Sequence, residues 1–283
     1  MKIPDGIKKI PLLHLVLFFL TLMTTLVVGA VHSGVDILSD PYQIYKGVPF
    51  AFSLMIILLS HEFSHYFASK THGVKATLPY FIPAPTIIGT FGAFIKMKSP
   101  IITRKALIDI GASGPIAGFV FSVIAVVIGL NMSRIVSVTK TADGLNLGDS
   151  LLFSFLSRSI LGIVPAGYDI LLHPVAFAGW IGLFVTSMNL IPVGQLDGGH
   201  IAYALLGEKQ ARLSFLLVLF MLFLGFLLWE GWFVWAVLLL LLGLRHPPVI
   251  YWEVPLDRKR KFIGWVSLVI FILTFIPMPF RML

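Results

Sequence analysis

The chain contains no cysteine among its 283 residues. Disulfides and thiolate metal sites are therefore excluded, and any bound metal must be held by histidine and carboxylate side chains. Charge is also scarce, because 12% of the residues are charged, against about 25% in a typical soluble domain. Together with 58% hydrophobic residues and a mean hydropathy of +0.95, this composition predicts an integral membrane protein.

The sequence also lacks internal repeats, low-complexity tracts and long polar insertions. A sizeable soluble domain is therefore not expected, and neither are the repeated halves with broken helices that are typical of many transporters. Acidic residues are few, 13 against 21 Lys and Arg, which leaves a formal net charge of +8. Lys and Arg collect in the cytoplasmic loops of membrane proteins, so this charge does not indicate a nucleic-acid partner.

Seven apolar segments predict an all-α polytopic membrane protein with about seven transmembrane helices. One helix over 212–244 would be about 50 Å long, more than the ~30 Å hydrocarbon core needs, so Trp229, Glu230 and Gly231 are interpreted as a turn. We expect one membrane domain, with a signal-anchor span and outer loop over 1–48, a three-span core over 49–200 and a three-span extension over 201–283. The segments are about 12–31, 49–69, 107–130, 173–193, 212–229, 232–244 and 262–280.

The distribution of Lys and Arg predicts the orientation of these spans. With the N-terminus inside, the inner segments hold 16 of the 21 basic residues. We therefore expect a multi-pass protein of the cell membrane with its C-terminus outside. The apolar segment 151–165, which contains Arg158, is interpreted as an interfacial helix on the outer face.

The second segment leads directly into His61, Glu62 and His65. In a helix the two histidines lie one turn apart on one face. Two imidazoles at this spacing can hold a zinc ion, and Glu62 beside them is placed to act as a general base on water. Ionisable groups at membrane depth are costly and indicate a functional site. The alternative is a pair of histidines at the level of the lipid headgroups.

Catalytic zinc usually takes three protein ligands, and Asp197 is the favoured third one. The topology places the end of the fourth span on the same, cytoplasmic side as the two histidines. Asp197 follows that span, although it could instead cap the next helix, and His200 is a weaker candidate. A membrane zinc protease of another kind would use a glutamate, for which the candidates are Glu208, Glu230 and Glu253.

The motif His61-Glu-Phe-Ser-His65, together with Asn189-x-x-Pro192-x-x-x-Leu196-Asp197-Gly198, resembles the site-2 protease family of intramembrane zinc metalloproteases. Ser113-Gly-Pro-Ile-Ala-Gly118 is similar to a further small-residue element of that family. The resemblance covers about residues 49–200. It implies Zn²⁺ held by His61, His65 and Asp197, with Glu62 as base and Asn189 as a candidate for stabilising the oxyanion.

Residues 86–97 are rich in β-branched and aromatic side chains and follow three prolines, so a helix is unfavourable there. Within this segment, the stretch around Gly89 to Phe94 is similar to the family's membrane-associated hairpin, which predicts a membrane-dipping β-hairpin. An extended strand edge near Thr90 to Ile95 would hold an unwound substrate by β-addition. The alternative is an ordinary cytoplasmic loop. The predicted substrate-binding residues are Gly89, Thr90, Phe91, Gly92, Ala93 and Phe94.

The expected activity is hydrolysis of a peptide bond within or near a transmembrane segment of membrane-anchored protein substrates. Two other classes stay open at this point, namely a membrane transporter and a non-catalytic membrane scaffold with a structural metal site. Polar residues scattered through several spans would favour a transporter. Here the polar residues of the spans concentrate at two points, which favours the protease.

Overall fold

A computed structural model of the chain describes residues 11–137 and 146–281. Four lysines that entered the count of basic residues, Lys2, Lys8, Lys9 and Lys140, lie outside the described residues. The described part is mostly helical with little sheet. Its helices are α1 (Leu12–His32), α2 (Val48–Thr71), α3 (Arg104–Met132), α4 (Leu151–Leu161), α5 (Pro174–Asn189), α6 (Asp197–Leu206), α7 (Lys209–Leu227), α8 (Gly231–Leu242) and α9 (Arg258–Thr274), with a short 3₁₀ helix at Pro41–Gly47.

Each of the seven predicted apolar segments overlaps one of these helices. Four helices, α1, α2, α3 and α7, are long and apolar enough to cross a membrane, so the prediction of an integral membrane protein is confirmed. The remaining three segments correspond to α5, α8 and α9, which have 16, 12 and 17 residues. The break between α7 and α8 falls at Leu228, Trp229 and Glu230, and the Glu230 side chain is exposed.

Several helices begin where a polar side chain caps the first turn, as their sequences favour. Thr103 accepts a hydrogen bond from the backbone of Ala106 at the start of α3, and Ser150 does the same for Phe153 in α4. At the start of α5 the ring of His173 accepts from Val175, and Pro174 occupies the first helical position. His173 therefore has a structural role at a helix end.

Six short strands form three two-stranded antiparallel pairs in the described part of the chain. The first pair joins β1 (Tyr80–Pro83) to β2 (Thr90–Phe94), with Tyr80 opposite Phe94 and an irregularity after Phe81. It lies between α2 and α3 in sequence. The others join β3 (Arg134–Ser137) to β5 (Tyr168–Leu171) and β4 (Asn146–Leu147) to β6 (Phe280–Arg281).

Helices α2, α3 and α5 pack against one another and form the centre of the molecule. Fully buried side chains such as Leu54 of α2, Leu130 of α3 and Trp180 of α5 fill the space between them. The Trp180 indole donates a hydrogen bond to the Gly148 carbonyl at 2.8 Å, so its polar edge is satisfied. This packing fixes the positions of the side chains that α2, α3 and α5 direct at one another.

A polar cluster joins α3, α9 and the end of α2. The guanidinium Nε of Arg260 donates to both carboxylate oxygens of Asp109, at 3.1 and 3.0 Å. His72, just after α2, lies 2.8 Å from the same carboxylate. Asp109 of α3 therefore contacts both Arg260 of α9 and His72 at the end of α2, and these contacts connect α9 to the central helices.

Candidate metal centre and active site

Three potential metal-ligand atoms converge in the interior of the protein. His61 and His65 come from α2, and Asp197 is the first residue of α6. The Nε2 atoms of the two histidines are 3.1 Å apart, and Asp197 Oδ2 lies 3.3 and 3.2 Å from them. Both histidines are buried, at 5% exposure. A pair of residues separated by 132 positions in sequence, His65 and Asp197, is thus in direct contact.

This triangle fits a zinc ion. Zinc bonds of about 2.0–2.1 Å in tetrahedral geometry place the ligand atoms about 3.3–3.4 Å apart, and the three observed separations are 3.1, 3.2 and 3.3 Å. Two neutral imidazoles and one carboxylate are also a donor set of catalytic zinc sites, where three protein ligands leave one position open. The residues predicted as ligands therefore meet both the distance and the chemistry that zinc requires.

The orientation of His65 is set by the backbone of α3. Its Nδ1–H donates a hydrogen bond to the Ile110 carbonyl at 2.7 Å. In the neutral ring this leaves Nε2 unprotonated and directed at His61 and Asp197. Hydrogen bonds of this kind fix the tautomer and the direction of a metal-binding histidine.

One face of α3 lacks side chains where it approaches the ligands. A Cβ atom at Gly114 would lie 2.1 Å from His65 Nε2, and one at Gly118 would lie 3.0 Å from His61 Nδ1. A Cβ at Gly111 would meet the Cβ of His200 at 2.9 Å and the carbonyl of Asp197 at 3.1 Å. The small-residue element Ser113-Gly-Pro-Ile-Ala-Gly118 thus gives α3 the close approach that the metal centre needs.

Glu62 and Asn189 lie beside this triangle and are not part of it. Glu62 is buried, at 5% exposure, and its carboxylate lies near the backbone of Ile95, the residue after β2. The side-chain nitrogen of Asn189, the last residue of α5, lies 3.4 Å from His61 Nε2. A carboxylate and an amide donor therefore flank the position where zinc would sit.

A cavity of about 230 Å³ opens next to these groups. His61, Glu62 and Asn189 form its polar end, and β2 forms one wall with Thr90, Phe91, Gly92 and Ala93. The other walls are mostly apolar and come from α2, α5 and α8. Their residues are Leu54, Leu58, Ile181, Phe184, Val185, Met188 and Trp235, together with Ile88.

Four of the six predicted substrate-binding residues line this cavity, and the other two lie elsewhere. Gly89 contacts α1, since a Cβ there would meet the Thr24 carbonyl at 2.9 Å. Phe94 stacks on Tyr80, with ring centroids 5.4 Å apart. The pattern of 86–97 did not distinguish residues that face the cavity from residues that hold the segment in place.

The weaker metal-ligand candidates do not belong to the triangle of ligand atoms. His200 Nδ1 pairs with His246 Nε2 at 2.6 Å, and burial lowers the pKa of His200 to about 4, so the ring is neutral at pH 7. Asp197 begins α6 without a capping hydrogen bond, because the N-cap position is Leu196. The three glutamates considered as alternative ligands, Glu208, Glu230 and Glu253, are all exposed.

Three contributors to the site could not be located from the sequence. The Ile110 carbonyl and the Ile95 backbone are main-chain groups, which no residue type marks. Trp235 of α8 lines the cavity, although its sequence surroundings are those of any apolar helix. The spacing of Gly114 and Gly118 is typical of closely packed membrane helices, and it is the feature from which the flat face of α3 could have been predicted.

Fold and site together define an integral membrane protein in which two buried histidines and an aspartate could hold a metal ion beside an adjacent glutamate. The model of peptidase family M50 matches residues 49–228, more than half of the chain. The chain belongs to this family, and the resemblance to site-2 proteases is confirmed.

Named relatives support the same assignment. The chain is similar to the probable zinc metalloprotease EGY1, chloroplastic, of Arabidopsis thaliana, with 31% identity over 236 residues, 81% of this chain and 43% of that protein. It is also similar to the probable zinc metalloprotease EGY2, chloroplastic, of the same plant, with 33% identity over 180 residues, 62% of this chain and 32% of that protein. The chain thus spans less than half the length of these relatives. No solved structure matches it.

Metal analysis of two variants tests the ligand set. We expect about one zinc per purified wild-type chain and a fall in zinc affinity of at least about 100-fold for Asp197→Ala, because loss of a supporting group alone costs 10–100-fold. The matched control is His200→Ala, which removes a half-buried ring three positions away that pairs with His246. Full zinc occupancy in Asp197→Ala, or equal loss in both variants, would contradict this ligand set.

Proposed function

We propose that the chain is an intramembrane zinc metalloendopeptidase that hydrolyses a peptide bond within or near a transmembrane segment of membrane-anchored proteins. The observation that carries the proposal is the convergence of three features within one buried region. These are the triangle of ligand atoms, the Glu62 carboxylate beside it, and a cavity that has both Glu62 and β2 in its walls. A structural metal site in a scaffold would need only the first of them.

Each catalytic role follows from the position of a side chain. His61, His65 and Asp197 would hold the zinc ion, which when bound supplies Lewis acidity toward the scissile carbonyl and toward water. Glu62 takes a proton from the attacking water and delivers it to the leaving amine. Asn189, at the edge of the triangle, is placed to donate its amide N–H to the developing oxyanion.

The β2 strand provides the means to bind an unwound substrate. A transmembrane helix hides its carbonyl groups in its own hydrogen bonds, so the segment to be cut must first become extended. Among the described residues β2 pairs with β1 alone, which leaves its other edge without a strand partner. An extended substrate added at that edge would lie along the cavity wall formed by Thr90, Phe91, Gly92 and Ala93.

The proposal includes the placement of the protein in the bilayer. Seven spans with the N-terminus inside, and a β1–β2 pair that dips into the membrane, would put the metal centre toward the cytoplasmic face of the cell membrane, where water reaches it. The organisation would be 1–48 as anchor span and outer loop, 49–200 as catalytic core and 201–283 as extension. The balance of Lys and Arg supports this arrangement.

Reconstitution with zinc removal tests the function directly. The purified chain in lipid vesicles is mixed with a set of tagged single-span membrane proteins, and cleavage is followed by gel electrophoresis and mass spectrometry. We expect at least one member to be cut inside or next to its span, cleavage to stop after chelation, and zinc to restore it. Zinc-loaded protein that cuts none of the set, in vesicles where it is correctly folded, would instead favour a scaffold.

A further inference from the structure

Helix α1 directs polar side chains toward the rest of the protein. His14, Thr21 and Thr25 are buried, at 7%, 0% and 0% exposure. Apolar side chains such as Phe19 and Met23 are exposed, at 58% and 51%. In a bilayer this pattern places the apolar face in lipid, and polar groups in spans usually face the protein and mark interactions.

Three polar side chains of α1, His14, Thr24 and His32, meet the segment that contains β1 and β2. His14 Nδ1–H donates to the Pro79 carbonyl at 3.0 Å, and His32 Nε2–H donates to the Ile87 carbonyl at 2.8 Å. Between them along the helix, the Thr24 hydroxyl donates to the Gly89 carbonyl at 2.6 Å. All three acceptors are main-chain carbonyls just before β1 or β2.

The three contacts are distributed along nearly the full length of α1. Eighteen positions separate His14 from His32, which corresponds to about 27 Å of helix. Non-helical backbone at membrane depth is tolerated only where protein or water satisfies its polar groups. Helix α1 provides such partners for carbonyls that have no helix of their own.

The contact between Thr24 and Gly89 also brings the two backbones close together. Gly89 has a φ of +81°, and a Cβ there would lie 2.9 Å from both the Thr24 carbonyl and the Thr25 Cα. Glycine is therefore required twice, for the backbone conformation and for the close approach to α1. The next residue, Thr90, is the first of β2 and lines the cavity.

We propose that α1 contributes to substrate binding by the proposed protease. In this proposal Thr24 is a positioning residue that holds β2 at the correct depth beside Glu62. The connection is short, since β2 begins one residue after Gly89 and lines the same cavity as Glu62. The region that matches the family begins at residue 49, after α1, so the match itself does not assign this role. The inference rests on the proposed function for its kinetic consequence only.

Three variants in α1 test the proposal by hydrogen exchange and kinetics. Thr24→Val keeps the shape and removes the donor, Thr24→Ser keeps the donor, and Thr25→Val is the matched control because its hydroxyl bonds within α1, to the Thr21 carbonyl at 2.8 Å. We expect amides of 80–94 to exchange about tenfold faster in Thr24→Val, and kcat/KM to fall about tenfold, mainly through KM, since the partly buried Gly89 carbonyl keeps only its bond from the Ala84 amide and loses its bond to α1. Thr24→Ser and Thr25→Val should resemble wild type in both measurements.

Exchange and kinetics together distinguish failure of this inference from failure of the proposed function. Exchange in Thr24→Val equal to that in Thr25→Val would overturn the positioning role, whatever the activity. Faster exchange with unchanged KM would overturn the claim that α1 serves substrate binding. If wild type cleaves nothing, the proposed function fails, and exchange still decides whether α1 holds β2.

A second pair of variants keeps the test valid if Thr24→Val does not fold. Gly89→Ala and Gly73→Ala both place alanine at a positive φ, +81° and +68°. An added Cβ at Gly73 meets nothing within 4 Å, whereas one at Gly89 collides with α1. We expect faster exchange over 80–94 in Gly89→Ala only, and equal exchange in the two variants would contradict the proposed contact.

Discussion

Replacing Glu62 with Gln is expected to reduce cleavage by about 10²–10⁴-fold, the usual contribution of a general base, while zinc remains bound. The amide is nearly the same size but cannot take a proton from water. Glu62 is not among the three ligand atoms, so the triangle of His61, His65 and Asp197 is left intact. The measurement is the cleavage rate of a membrane-anchored substrate beside the zinc content of the same preparation.

The matched control for this variant is Glu208→Gln. Glu208 is exposed and precedes α7, so the same chemical change there should leave both the rate and the zinc content unaltered. Cleavage by Glu62→Gln at the wild-type rate with zinc bound would refute the assignment of Glu62 as base. Loss of zinc in Glu62→Gln would instead mean that its carboxylate supports the metal.

Gly114→Ala is expected to abolish both zinc binding and activity, although it adds a single methyl group in a helix and alanine favours helices. The new Cβ would lie 2.1 Å from His65 Nε2, and 2.5 and 2.6 Å from two ring carbons. The ring must therefore leave its place, and its hydrogen bond to the Ile110 carbonyl is lost with it. Zinc stoichiometry and the cleavage rate of a membrane-anchored substrate measure the two effects.

Two further variants in α3 give this prediction a graded control. A Cβ at Gly118 would lie 3.0 Å from His61 Nδ1, so Gly118→Ala needs a shift of only a few tenths of an ångström and should weaken zinc binding less. Ser113→Ala adds no atom near the ligands and should change zinc binding least of the three, although its hydroxyl shares the Ile110 carbonyl with His65. Normal zinc occupancy in Gly114→Ala would show that α3 does not approach His65 as closely as described.

The sequence predicted the helices more accurately than the structure of the segments that connect them. Long apolar segments give α1, α2, α3 and α7 because no other conformation satisfies the backbone in lipid, and the turn at Trp229, Glu230 and Gly231 was recognisable from length. The short pairs β3–β5 and β4–β6 were not predicted. They join segments far apart in sequence, and two to four residues are too few for any periodic pattern to indicate a strand.

The candidate site was also predicted only in part. His61, Glu62 and His65 are adjacent on one helix, so their spacing alone indicates a zinc motif, and the topology favoured Asp197 as their partner. The contribution of α1 was not predicted, because His14, Thr24 and His32 are spaced too widely to resemble any motif. Their partners are main-chain carbonyls, which depend on the path of the segment 79–89 and on nothing in its residue types.

The separation of the ligands along the chain has a consequence for biosynthesis. His65 is made 132 residues before Asp197, to which it is paired in the folded protein. At a synthesis rate of about 5–20 residues per second, roughly 7–26 s pass between the two. During that interval the nascent chain has only two of the three proposed ligands, so the proposed protease would not cut the membrane proteins that are being inserted beside it. The proposed activity would begin only once the polypeptide has been extended past α5 and α6 has docked on α3.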